Sequence, residues 1–82
     1  MVGDSPGAGT AAEAAYDAGD LGCGELVMEL RRRMLALPPG AVLALTARDP
    51  GAVLDIPAWC HLTGHALITD RHPFYRIRRK EG

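Results

Sequence analysis

The chain is poor in the features that most readily announce a function. It has two cysteines, so no disulfide framework can staple it, and a single Cys23–Cys60 bridge is possible but unforced. No apolar run approaches the roughly 20 residues of a membrane span. The N-terminus has no basic region leading into an apolar stretch, so a cytoplasmic, reducing setting is expected. Aromatics number only four, one Trp, one Phe and two Tyr, and are not interleaved with a dense basic patch. Direct nucleic-acid binding is therefore not expected. Paired Cys-x-x-Cys spacing is missing, which argues against a structural zinc site, and no cofactor is implied.

What is present fits one small domain. Eighty-two residues lie near the lower limit for a self-supporting core. Residues 1–22 carry four acids and no Lys or Arg, whereas residues 23–82 carry nine basic and six acidic side chains. Residues 1–12 have almost nothing to bury and are expected to be a disordered lead-in, leaving 13–82 as the domain.

The periodicity then changes along the chain. Ala14 to Ala18 reads as a short first strand. Val27, Leu30, Met34 and Leu37 recur at three and four residues, a helix with one apolar face, which Pro38-Pro39-Gly40 stops. In that stripe Met34 is a core residue rather than a soft ligand. The apolar run Ala41–Ala47 suits an interior strand. Asp49 as N-cap and Pro50 in first position start a second helix through Trp59, Cys60 and Thr63. Pro57 is expected to kink or divide it, and Gly64 to end it. Ala66–Thr69 and Phe74–Arg78 read as two strands joined by a hairpin turn, with Tyr75 and Ile77 on one face and Arg76 and Arg78 on the other. The order β-α-β-α-β-β predicts an α/β (α+β) two-layer sandwich. Two helices would cover one face of a four-stranded mixed sheet.

Cys23 lies where a glycine-flanked turn, Asp20-Leu21-Gly22-Cys23-Gly24-Glu25-Leu26, opens into the first helix. Unpaired N–H groups and the positive end of the helix dipole favour a thiolate there, the nucleophilic form of cysteine. The competing reading is a small buried apolar side chain. Position alone does not choose between them.

With these elements in this order, residues 14–82 resemble the TusA-like (SirA) family of small sulfur carriers. The resemblance rests on Tyr16-Asp17-Ala18, Leu21, Cys23, Glu25, Val27-Met28, Pro39-Gly40, Asp49-Pro50, Asp55-Ile56-Pro57, Cys60 and a basic last strand. It implies that Cys23 carries sulfane sulfur as a persulfide. The sulfur would come from a cysteine desulfurase or rhodanese-like donor and pass to an acceptor protein. Pathways served in the family include tRNA thiolation, molybdenum-cofactor biosynthesis and sulfur oxidation. The family pattern is Cys-Pro-x-Pro, and this chain reads Cys23-Gly24-Glu25-Leu26, so both prolines are missing. Gly24 leaves the turn flexible, and Leu26 restores a backbone N–H, a further donor near the sulfur.

Other residues admit plainer roles. Glu25 stands at a motif position, yet a carboxylate near a thiol raises its pKa, and dipole compensation explains an acid in the first turn equally well. Cys60 reads as a buried filler. His61, His65 and His72 read as exposed or capping residues. Arg31, Arg32 and Arg33 read either as a solvated helix face or as charge offered to acidic partners. Two further functional readings compete with sulfur transfer. One is an interaction module that kept the fold and lost the chemistry; the other is a small redox protein using Cys23 and Cys60.

Overall fold

A computed structural model describes residues 13–81. The lead-in expected over residues 1–12 lies outside the described residues. The order of elements is β1 (Glu13–Asp17), α1 (Cys23–Ala36), β2 (Val42–Thr46), α2 (Ala52–Thr63), β3 (Ala66–Arg71) and β4 (Phe74–Arg78). The strands form one mixed sheet in the order β1-β2-β4-β3. β1 and β2 are parallel, while β4 runs antiparallel to both β2 and β3. The last strand of the chain thus fills the gap between the second and third. Each helix leaves the carboxyl end of a parallel strand, so α1 and α2 both start at the same end of the sheet.

The alternation of side chains sorts the sheet into two faces. Leu43 faces Ile77, and Leu45 faces Tyr75, across the β2–β4 ladder. All four are almost fully buried, and Ala14, Tyr16 and Leu67 pack beside them. From α1 this layer receives Leu26, Leu30 and Met34; from α2 it receives Ile56, Trp59 and Cys60. The four-residue steps of α1 keep its buried side chains on one face. Each fully buried aliphatic side chain here contributes about 1.5–3 kcal/mol of hydrophobic stabilisation. The opposite face stays open. There Arg76 on β4 reaches over β2 to Glu13 on β1, Nη2 to Oε2 at 2.8 Å, past the small Ala44.

The predicted order and the two-layer architecture hold, and several local expectations change. The buried stripe of α1 begins at Leu26 and runs through Leu30 and Met34, while Val27 is only partly buried. Pro57 does not divide α2, which is continuous over its 12 residues. Proline removes only the one bond to the carbonyl four residues earlier, that of Val53, and the turns on either side stay helical. α2 also starts later than Pro50. Its approach is a tight turn in which Ala52 donates to the Asp49 carbonyl at 2.9 Å and Val53 to that of Pro50 at 3.3 Å. Asp49 still caps this turn, its Oδ2 accepting from the Gly51 N–H at 3.1 Å. Gly64 ends the helix as expected, in the left-handed region at φ 87°. β3 carries a register shift between Leu67 and Thr69, which leaves Ile68 half exposed.

Candidate functional site

The site begins where β1 ends. Ala18 extends the sheet by donating to the Thr46 carbonyl at 2.8 Å. The chain then turns at Gly19, whose φ of +59° lies in the left-handed region and whose N–H donates to Asp17 Oδ1 at 2.8 Å. Arg48 ties this turn to the β2–α2 loop. Its N–H donates to the Gly19 carbonyl at 3.0 Å and its Nη1 to Asp17 Oδ1 at 3.2 Å. The segment leading to Cys23 is therefore pinned at both its strand and its neighbouring loop.

α1 opens at Cys23, with Gly22 as an extended N-cap at φ −71°, ψ 165° that supplies no side-chain cap. The sequence-based placement of Cys23 at a helix N-terminus is correct. The expectation for Leu26 is not. Its N–H donates to the Gly22 carbonyl at 2.8 Å, closing the first turn of α1, and its side chain is fully buried. That N–H is committed to the helix itself. Gly24 differs: a Cβ built there meets no atom within 4 Å, so no close approach requires glycine at that position. Glu25 is exposed in the first turn, where a carboxylate suits the helix dipole.

Beside this helix start lies an open groove of about 480 Å³, walled by Leu21, Glu25, Met28, Glu29 and Arg32. Met28 is 75% exposed, and on the first turn of α2 so is 78% of Leu54. Glu29 receives hydrogen bonds from Arg32 and, at 2.8 Å, from Arg33 Nε. The Arg32 contact foremost holds its carboxyl below the usual range. Arg33 also stacks 3.8 Å over the Tyr16 ring, so the arginine triplet divides its work. Two of its members organise Glu29 and the α1–β1 seam, and only Arg31 is left without an ion pair among the described residues.

Cys60 is buried on α2, and burial pushes its thiol up to about 11. A thiol so placed is a poor nucleophile, which argues against a two-cysteine redox site. The histidines are scattered. His61 is exposed, and His72 Nδ1 lies 2.6 Å from Tyr75 Oη. His65, expected to be exposed or capping, is buried against Trp59 with ring centroids 5.4 Å apart. Its Nδ1 accepts from the Lys80 N–H at 3.1 Å.

Sequence reasoning missed Asp17 and Arg79. The spacing Asp17-x-Gly19 carries the signal for the Asx-type turn. Arg79 has no local signature, because its Nη1 bonds the Leu37 carbonyl, 2.9 Å away at the end of α1.

Comparison with known proteins agrees with this arrangement. The family described as "Sulfurtransferase TusA" matches residues 14–78. "Sulfur carrier protein TusA" of Pseudomonas syringae pv. tomato is 38% identical over 72 residues, covering 83% of this chain and 86% of the relative. The protein of the same name from Pseudomonas paraeruginosa is 38% identical, with coverage of 83% and 91%. That of Pseudomonas putida is 36% identical, with coverage of 83% and 90%. The chain belongs to the TusA family.

Proposed function

We propose that this protein is a sulfur carrier that holds sulfane sulfur as a persulfide on Cys23. The observation that carries this reading is the position of Cys23 as the first residue of α1, in a chain of the TusA family. The N-terminal N–H groups of a helix lack intrahelical acceptors and favour an anion, whether a thiolate or a persulfide anion. Thiolate chemistry needs no metal and no dedicated base.

The transfer balances without an external oxidant. The Cys23 thiolate attacks the outer sulfur of a donor persulfide; the donor S–S bond breaks and the donor departs as a thiolate. The new S–S bond on Cys23 is broken in turn when an acceptor thiolate takes the outer sulfur, returning Cys23 to a thiolate. The protein is thus a relay and not a turnover enzyme. Its donor would be a cysteine desulfurase or a rhodanese-like protein, and its acceptor another protein thiol. A pathway such as tRNA thiolation or molybdenum-cofactor synthesis is then served through those partners, without direct contact with RNA. Residues 13–82 form the carrier domain. No helix among the described residues is long and apolar enough to cross a membrane, and we place the relay in the cytoplasm. Glu25 acts at the site through the first-turn dipole rather than by moving protons.

Incubation with a cysteine desulfurase and cysteine, followed by intact mass measurement, tests the reading. A gain of about 32 Da, one sulfur atom, is expected, and it should vanish in Cys23→Ala. No adduct, or one that persists in Cys23→Ala, overturns it. The competing module reading expects a Cys23 thiol titrating at or above about 8.5 and a partner bound equally well by Cys23→Ser.

A further inference from the structure

A second surface lies at the opposite end of the helices from Cys23. Among the described residues Arg32, Arg33, Arg48 and Arg76 each hold a carboxylate. Arg31, Arg71, Arg78, Arg79 and Lys80 hold none, and three of these, Arg31, Arg79 and Lys80, line a single cleft of about 250 Å³. No acidic side chain lines it. Its walls are apolar. Leu35 from the last turn of α1 is 55% exposed, and Leu62 from the last turn of α2 is 83% exposed. Leu35 stands roughly 18 Å along α1 from Cys23 at 1.5 Å of rise per residue.

The deep side of this cleft is firmly built. Trp59 and His65 meet there with their rings tilted by 43°, and His65 is tied to the backbone of Lys80. Arg79 is fixed by its bond to the Leu37 carbonyl, yet its buried Nε has no hydrogen-bond partner. Arg79 is thus anchored, while the exposed Arg31 and Lys80 side chains stand beside exposed leucines with no ion pair among the described residues.

We propose that this cleft docks an acidic segment of a partner protein, with an aliphatic side chain between Leu35 and Leu62 and carboxylates facing Arg31 and Lys80. Charge complementarity selects the acid, and the two exposed leucines select an apolar anchor beside it. A nucleic acid fits less well. The one indole in the cleft, Trp59, is 8% exposed and offers no free face for a base to stack on. A partner held at this end leaves the start of α1 uncovered, so docking and thiol exchange can proceed at once.

The proposal does not depend on sulfur chemistry, and its test is run on the Cys23→Ser protein. A fluorescein-labelled peptide of alternating Glu and Leu is titrated by anisotropy and by amide shift mapping, beside a Lys and Leu counterpart and a short oligouridine. Saturable binding of the acidic peptide alone is expected, with shifts centred on Leu35, Leu62 and Lys80. The double variant R31E/K80E should weaken it at least tenfold, and Leu62→Ser should weaken it with the charges intact. Both changes lie on exposed positions, and an unchanged melting temperature shows that the fold survives. Absence of saturable binding, undiminished binding to R31E/K80E, shifts centred on the start of α1, or tighter binding of oligouridine would each overturn the proposal.

Discussion

The N–H of Leu26 donates to the carbonyl of Gly22 at 2.8 Å, and this one bond closes the first turn of α1 behind Cys23. The family's Cys-Pro-x-Pro pattern would place a proline at this position, and proline has no N–H to give. The two missing prolines are therefore unequal departures. Position 24 is open space, whereas position 26 has been absorbed into the core.

Substitution should separate them. Gly24→Pro sits in the first turn, where proline is tolerated, and should stabilise the fold by about 0.4–1 kcal/mol by restricting the unfolded chain. Leu26→Pro loses a fully buried side chain and the Gly22 bond, and should cost about 3 kcal/mol or more. Urea denaturation of both variants measures the pair, and an equal effect at the two positions contradicts the asymmetry.

Cys60 makes stability depend on alkaline pH. Its thiol is raised from 9.0 to about 11 in the fold by burial. Between these values the unfolded chain has lost a proton that the native protein still holds, so stability falls as pH rises. The full difference is roughly 2–3 kcal/mol, present below pH 9 and lost by about pH 11. Denaturation midpoints across that range should decline in the wild type, and the decline should shrink in Cys60→Ala relative to its own value at pH 8.

His65 acts at the other end of the scale. Burial first, then the charges of Lys80 and Arg79, hold its pKa below 6.5. The unfolded chain therefore takes up a proton more readily, and the stability His65 confers as a neutral ring is lost as pH falls below 6.5. His65→Gln keeps an acceptor for the Lys80 N–H and removes the titration. Its stability should vary less than that of the wild type between pH 7 and 5, whatever its absolute value. Thermal melts at matched ionic strength measure the difference.

Much of the fold was legible because its signals were local. The 3.6-residue spacing of Leu30 and Met34, the Pro38-Pro39-Gly40 stop, and the alternation of Tyr75 and Ile77 with Arg76 and Arg78 each act within one element. So does the start of α1 at Cys23. What sequence reasoning missed was decided between elements. Leu26 reads as a replaced motif residue until α1 packs on the sheet. His65 reads as an exposed or capping residue until the chain turns at Gly64 and brings its ring against Trp59. Arg79 could not be assigned to the end of α1 from a position so distant along the chain. Pro57 misled because it removes a single backbone bond, and the helix continues on either side of it.

The position of β4 at the centre of the sheet has a consequence for biosynthesis. β1 and β2 emerge from the ribosome early and can pair, but β3 has no neighbour until residues 74–78 are inserted between it and β2. Tyr75 and Ile77 complete the core at the same moment. The sheet therefore cannot close until β4 has been made, and a chain that has reached only β3 still lacks the centre of its core.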